Sequence, residues 1–304
     1  MNLGIKVAIN DHSISDLERT HAEFAEVWYN ANTPDDYTNL FSYLKTHALQ
    51  SGLHFWGAIA NGALATIAYP DTTVANQSLT LIKQTIDTAA RNNFSYVNIH
   101  PGTRSLVHLD FKTVAFTVLT APKPIDVCES IFLEHAKELT DYATKRGVVL
   151  TIESVPPRTA NKWLTTGVRN NVIDLGELPI TTLMKAVTNG AWFANDFCHT
   201  AANCLSDNTK DIWTMLYDVS KQYATQTKLI HLGFLAPPFN GTDFHDQMNN
   251  PLLQTTQAVP NNAQLIDLLK LFPNRNDVYA LVEPMSDHVR NFFLAKTLLD
   301  QASV

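Results

Sequence analysis

Charged side chains are scarce in this sequence. Only 17% of its 304 residues are Asp, Glu, Lys or Arg, and the formal net charge is −7. An acidic chain with so few cations is a poor candidate for non-specific binding to nucleic acid. Apolar residues make up 45% of the chain, which is enough to build a large buried core.

Cysteine is also rare, and signals for export or membrane insertion are missing. The three cysteines form no CxxC pair, and an odd number fits no disulfide framework. The first ten residues, MNLGIKVAIN, lack the charged start and apolar core of a signal peptide. The most apolar stretch, residues 52–69, is interrupted by His54, Asn61 and Thr66, whereas a membrane span needs roughly 20 apolar residues. We therefore expect a cytoplasmic protein with reduced thiols and no membrane partner, and no pattern points to a protein partner.

Short apolar runs alternate with longer amphipathic runs along the chain. Eight of the short runs predict strands: GIKVAIN, FAEVWYN, LHFWGAIA, YVNIHPG, VVLTIESVP, AWFANDFCH, KLIHLGF and VYALVEP. Helices are predicted over residues 33–49, 74–92, 126–146, 180–188, 211–225, 261–272 and 286–301. No glycine-rich phosphate loop follows the first strand, which disfavours an open nucleotide-binding sheet. The alternation predicts one α/β domain over residues 1–304, a single (β/α)8 TIM barrel with long loops at about 103–125 and 156–178.

Metal-ligating residue types follow most of the predicted strands. The set comprises His54, His100, Glu153, Asp196, His199, His231, Asp243, His245 and Glu283. Imidazole and carboxylate groups suit zinc, manganese or iron, and the carboxyl ends of barrel strands converge over one mouth. The spacing of Asp243 and His245 lets both side chains face the same way in an extended loop. The sequence therefore predicts a cluster of divalent metal ions at this end of the barrel.

Each of these residues also has an ordinary structural interpretation. His54 alone is more often a core or capping histidine, and Asp196 with His199 fits an N-cap and the first turn of a helix. Glu153 and Glu283 are harder to explain in this way, because a carboxylate at the end of an apolar run is costly unless it is paired or metal-bound. The whole set on successive strand ends favours the metal interpretation.

The pattern resembles the xylose-isomerase-like TIM barrels, and among them most closely the endonuclease IV family of apurinic-site endonucleases. The likeness runs from about His54 to Glu283 and is carried by NIHPG, by D-x-x-H, and by the later H and D-x-H. It implies up to three ions, most typically zinc, with manganese as an alternative. His54, His100 and Glu153 would hold the first ion, and Glu153 would bridge to a second. The remaining ligands of that second ion would be Asp196, His231 and Glu283, and those of a third would be His199, Asp243 and His245.

Two functions stay open at this point. The resemblance implies a metal-dependent phosphodiester hydrolase of DNA repair, acting on abasic DNA or another phosphodiester, with Glu153 and Glu283 as catalytic residues. The loop NANTPDD is acidic where that family places basic DNA contacts, and the cations Arg104, Lys112, Arg158 and Lys162 in the two long loops give little support for a basic groove. The alternative is a sugar or sugar-phosphate isomerase or epimerase, in which Glu153 and Glu283 flank a single metal ion and move a proton. The apolar run from Val114 to Ala121 would then cap a small-molecule pocket.

Overall fold

A computed structural model describes residues 1–157, 174–244 and 246–303 of the chain. Eight parallel strands close into a barrel: β1 (Asn2–Val7), β2 (Phe24–Asn30), β3 (Gln50–Trp56), β4 (Tyr96–Ile99), β7 (Val149–Glu153), β8 (Trp192–Asp196), β9 (Thr227–Leu232) and β10 (Tyr279–Val282). Around the barrel their order is β1, β10, β9, β8, β7, β4, β3, β2. Each corresponds to one of the eight predicted runs, so the predicted TIM-barrel fold is confirmed.

Helices surround the barrel and bury their apolar faces against it. They are α1 (Ser13–Thr20), α2 (Thr38–Thr46), α3 (Thr72–Arg91), α4 (Ile125–Thr144), α5 (Ile180–Thr188), α6 (Phe197–Ala202), α7 (Thr209–Gln222), α8 (Asn262–Leu269) and α9 (His288–Ala302). In α3, Val74, Leu79, Ile82 and Ile86 lie on the buried face, as the 3.6-residue spacing predicts. Within the described ranges, no helix is both long enough and apolar enough to cross a bilayer.

An aromatic layer fills the amino-terminal end of the barrel. The rings of Phe24 and Tyr279 have centroids 4.6 Å apart, and Tyr96 lies 5.4 Å from Tyr279. Two glycines make room for these rings, because a Cβ on Gly52 would lie 2.3 Å from Cζ of Tyr96 and one on Gly4 would lie 1.9 Å from Cδ1 of Phe24. The three rings pack with Leu229 and Leu281 and fill the interior at this end of the barrel.

A β-hairpin stands in the first of the two predicted long loops. It pairs β5 (Val107–Asp110) with β6 (Ala115–Val118) in antiparallel register. The backbone N–H of Leu64 donates to the carbonyl of Val107 at 2.6 Å, which ties the hairpin to the loop after β3. The apolar run that the isomerase alternative interprets as a cap contains the second strand of this hairpin. Of the second long loop, residues 158–173 lie outside the described residues.

Candidate metal centre

The structure brings most of the predicted ligand residues together over the mouth of the barrel. His54 lies on β3, Glu153 ends β7, Asp196 ends β8 and His231 lies on β9. His100 and Glu283 directly follow β4 and β10, His199 lies in α6, and Asp243 lies in the loop after β9. His245 lies outside the described residues.

A first group of three donor atoms is formed by His54, His100 and Glu153. The Nε2 atoms of the two histidines are 3.2 Å apart. Oε2 of Glu153 lies 3.4 Å from Nε2 of His54 and 3.8 Å from Nε2 of His100. Zinc bonds of about 2.0–2.1 Å in a tetrahedron separate neighbouring ligand atoms by about 3.3 Å, so the spacing suits one ion.

A second group is formed by Glu153, Asp196, His231 and Glu283. Nδ1 of His231 lies 3.2 Å from Oε1 of Glu153 and 3.1 Å from Oε2 of Glu283. Oδ2 of Asp196 lies farther off, 3.7 Å from the same nitrogen. Glu153 therefore offers one carboxylate oxygen to each group, which is the arrangement of a bridging ligand.

Two buried atoms of the second group support its fit to a cation. Oε1 of Glu153 and Nδ1 of His231 lie 3.2 Å apart, but neither makes a hydrogen bond of good geometry among the described residues. A buried polar atom without a partner is costly, and an ion bound between the two would remove that cost. The donor types also match those of divalent-metal sites. Buried clusters of histidine, glutamate and aspartate thus indicate divalent metal binding, with the metal and the number of ions left open.

Asp196 combines the two roles that the sequence allowed. Its Oδ1 accepts a hydrogen bond of 2.9 Å from the backbone N–H of His199, which caps α6. Its Oδ2 faces Nδ1 of His231 in the second group. One carboxylate can therefore cap the helix and keep an oxygen for a metal ion.

His199 and Asp243 meet at the edge of the two groups. Nε2 of His199 lies 2.9 Å from Oδ1 of Asp243, and Nδ1 lies 2.9 Å from the carbonyl oxygen of Ser154. Donation from Nδ1–H to that carbonyl leaves Nε2 as the atom that faces Asp243. These two residues would be ligands of the third ion that the resemblance implies.

Lys6 and Glu26 also lie in the mouth of the barrel, and the sequence analysis missed both. Nζ of Lys6 lies 2.5 Å from Oε1 of Glu26 and 2.6 Å from Nδ1 of His54, and it also donates to Glu283. Glu26, His54, His231 and Glu283 could form a further cation site, but the Lys6 ammonium already contacts three of them. In the sequence, Lys6 and Glu26 each appear as a charged residue inside an apolar strand. The same feature identified Glu153.

Glu26 is fully buried and supports His231 from below. Its Oε2 accepts a hydrogen bond of 2.7 Å from the hydroxyl of Tyr96. Its Oε1 lies 3.1 Å from Nε2 of His231. A carboxylate on one ring nitrogen keeps the proton there and leaves the other nitrogen free to bind a metal. This contact therefore favours Nδ1 as the ligand atom of His231.

Opposite charges dominate the electrostatics of the centre. Burial alone would lower the pKa of His231, but the carboxylates of Glu283, Glu153 and Glu26 raise it well above its usual value. Burial likewise opposes ionisation of Glu153, yet His231 and His54 hold its pKa well below its usual value. The pKa of Glu283 is also lowered, against the effect of burial, by His231 and Lys6. The carboxylates are therefore ionised at neutral pH.

The centre forms the floor of a cavity of about 270 Å³. Val107, Val114 and Phe116 of the hairpin line one side of this cavity, and Trp28 and Trp56 line the strand side.

Of the four basic residues proposed from the sequence as DNA contacts, Arg104 donates from Nη1 to the carbonyl of Lys123 at 2.9 Å within its own loop. Lys112 is exposed at the hairpin, and residues 158 and 162 lie outside the described residues.

Comparisons with known proteins support the fold. No protein-family model matches the chain, and no curated protein sequence matches it. Among solved structures, an L-ribulose 3-epimerase is similar with a TM-score of 0.64 and 12% identity, over 99% of this chain and 94% of that chain. Endonuclease IV from Thermus thermophilus is similar with a TM-score of 0.57 and 14% identity, over 99% of this chain and 100% of that chain.

A third similar structure is the TTHB071 protein of Thermus thermophilus soaked with ZnCl2. Its TM-score is 0.61 at 14% identity, over 99% of each chain. Sugar epimerases and an epimerase-like protein make up most of the similar structures that we compared. At such low identity the likeness shows the fold, a TIM barrel, and it does not show the reaction.

Proposed function

We propose that this protein is a metal-dependent isomerase or epimerase of a small hydroxy-carbonyl compound of the sugar class. The observation that carries the proposal is the small cavity of about 270 Å³, which has the donor groups as its floor and the hairpin along one side. Such a cavity suits a small molecule, whereas duplex DNA needs an open basic surface. This reverses the preference of the sequence analysis, which placed phosphodiester hydrolysis first.

The chemistry of the proposed reaction is a proton transfer next to a carbonyl group. A divalent ion bound at the donor groups would polarise the substrate oxygens and make the neighbouring C–H bond more acidic. Glu153 and Glu283 both belong to the floor of the cavity, and their lowered pKa values keep them ionised as proton acceptors.

The electrons of the broken C–H bond move into an enediolate, whose hydroxyl proton can pass between its two oxygens, and the proton from carbon goes to a carboxylate oxygen. Return of a proton to the opposite face of the same carbon gives an epimer, and return to the adjacent carbon gives an isomer. No other reactant is needed in either case. Lys6 would hold Glu283 in place through its hydrogen bond.

Solvent exchange tests this proposal directly. The zinc- or manganese-loaded protein is incubated with a panel of keto-sugars in D2O, and the products are followed by NMR and mass spectrometry. We expect deuterium at one carbon next to the carbonyl, and loss of exchange in Glu283→Gln. The matched control is Glu138→Gln, which changes a half-exposed glutamate on α4. Absence of exchange with every keto-sugar, and also with dihydroxyacetone and 2-hydroxyacetophenone, in a folded and metal-loaded protein would contradict the proposal.

A second candidate is the phosphodiester hydrolase, and one observation favours it. The described residues offer two donor groups that share Glu153, together with the His199–Asp243 pair. An isomerase with one metal ion does not require all of these donors. We expect His199→Ala to abolish cleavage of abasic DNA if this function is correct, and to lower sugar exchange only modestly if it is not.

A further inference from the structure

The walls of the cavity differ sharply from its floor. The floor carries the charged donors, whereas the walls are mainly aliphatic and aromatic. Six of the wall side chains are Trp28, Trp56, Val107, Phe116, Val155 and Leu175. A substrate that fills the cavity therefore meets charge at one end and an apolar surface at the other.

Polar side chains are few on these walls. Apart from Lys6 and the donor residues, Thr103 and Glu177 are the polar side chains among the described residues of the lining. The hydroxyl of Thr103 already donates to the carbonyl of Ser105 at 2.6 Å, and Glu177 also has a partner. A hexose chelated at the floor would bury several further hydroxyl groups here, and each buried hydroxyl without a partner costs binding energy.

An aromatic row runs from the hairpin down to the metal centre. Phe111 meets Trp28 edge-on at 5.9 Å, Trp28 lies 6.0 Å from Trp56, and Trp56 lies 4.9 Å from the ring of His100. Nε1 of Trp56 is buried without a hydrogen-bond partner in the described part of the chain. A flat substituent of a ligand can stack on these rings. The Nε1–H of Trp56 can donate a hydrogen bond to a ligand close to the donor residues.

The rim of the cavity is apolar as well. Val114 of the hairpin is 52% exposed, and Met285, in the loop after β10, is 74% exposed. Both side chains line the cavity. Exposed large apolar side chains gathered at a pocket mouth are typical of a binding surface, and here they extend the apolar wall outward.

We propose that the substrate carries an apolar ring or chain attached to its hydroxy-carbonyl head. The head binds at the donor groups, and the substituent packs against Trp28, Trp56 and the hairpin. The position of the head rests on the proposed function. The apolar substituent is inferred from the wall residues alone. We expect an unsubstituted hexose to bind more weakly than a hydroxy-ketone that carries such a substituent.

A matched pair of ligands tests this inference by calorimetry on the zinc-loaded protein. Dihydroxyacetone and 2-hydroxyacetophenone share the chelating hydroxy-ketone, but only the second carries a ring. Burial of a ring of this size corresponds to roughly a ten- to hundredfold gain in affinity, so we expect the aromatic ligand to bind at least about tenfold more tightly. In Trp28→Ala and in Phe116→Ala we expect the ratio of the affinities for the aromatic ligand and for dihydroxyacetone to fall to within about threefold.

The controls separate a local effect from a general loss of structure. Trp213→Ala and Phe293→Ala change an aromatic residue on α7 and one on α9, outside the cavity lining, and should keep the full preference. Thermal melts verify that all variants fold. Equal affinity for the two ligands, or no binding of the aromatic one, overturns the inference. If the aromatic ligand binds more tightly but no sugar or hydroxy-ketone exchanges deuterium, the result supports the apolar subsite and contradicts the proposed isomerase function.

Discussion

Oε1 of Glu26 lies 3.1 Å from Nε2 of His231, while Nδ1 of the same ring lies 3.1 Å from Oε2 of Glu283. The ring of His231 thus stands between a buried carboxylate below it and the donor group above it. Glu26 is itself held by Lys6 and by the hydroxyl of Tyr96. A histidine fixed in this way presents one defined nitrogen to a metal ion.

Replacement of Glu26 should weaken metal binding although Glu26 is not needed as a ligand. In Glu26→Gln the amide can donate to Nε2 of His231, which shifts the proton to Nδ1 and blocks the ligand atom. We expect zinc affinity to fall by about 10- to 100-fold, measured by competition with a chromophoric chelator. The control is Glu23→Gln, which changes an exposed residue three positions earlier.

A purely structural role for Glu26 gives a different result. Loss of stability in the metal-free protein, with zinc affinity unchanged, would show that Glu26 serves only the barrel core. Nitrogen NMR of labelled histidine provides an independent measurement, because the two ring nitrogens differ in shift with the position of the proton. We expect His231 to carry its one proton on Nε2 in the zinc-loaded wild-type protein.

Metal affinity should rise with pH and metal binding should release protons. The pKa of His199 is raised well above its usual value, because Asp196 and Asp243 outweigh the opposing effect of burial, and the pKa of His231 is raised by its glutamate neighbours. Both rings are therefore protonated at neutral pH in the metal-free protein, and each must lose a proton from the nitrogen that binds the ion.

Calorimetry in buffers of different ionisation enthalpy measures this release. We expect a positive number of protons released per ion at pH 6.5 and a smaller number as the pH rises through the raised pKa values. A pH-independent affinity between pH 6 and pH 8 would show that these histidines are not ligands.

The aromatic layer below the centre should be sensitive to a single added methyl group. In Gly52→Ala the new Cβ would lie 2.3 Å from Cζ of Tyr96, so either the ring or the strand must move. We expect the free energy of unfolding to fall by about 1–3 kcal/mol, measured by urea denaturation. Gln50→Ala, at the exposed start of the same strand, should change stability little, and an equal loss in both variants would contradict the close packing.

The strands were predictable because parallel barrel strands are buried on both faces and are therefore continuously apolar. Glu153 and Asp196 stood out as carboxylates that end such strands. Lys6 and Glu26 lie inside their strands instead, and a search confined to strand ends passed over them. Their ion pair joins two strands, so it becomes visible only once the barrel register aligns Lys6 with Glu26.

Other features depended on topology or on short segments that carry little periodic signal. His199 and Asp243 are 44 positions apart, and sequence spacing cannot show that they touch. Helix α1 has eight residues, and each strand of the hairpin has four. Strand β4 is equally short but buried throughout, whereas the hairpin strands contain exposed residues and too few repeats of an alternating pattern to be assigned from sequence.

Metal content is the measurement that tests the central claim most directly. The protein is purified without chelator or histidine tag, loaded with zinc or manganese, desalted, and analysed by elemental mass spectrometry beside Glu153→Gln. Because Glu153 gives one oxygen to each donor group, the account predicts at least one bound divalent ion per chain in the wild-type protein and a loss of bound metal in the variant. A wild-type protein without bound divalent ions, or a variant with undiminished metal content, would contradict the account.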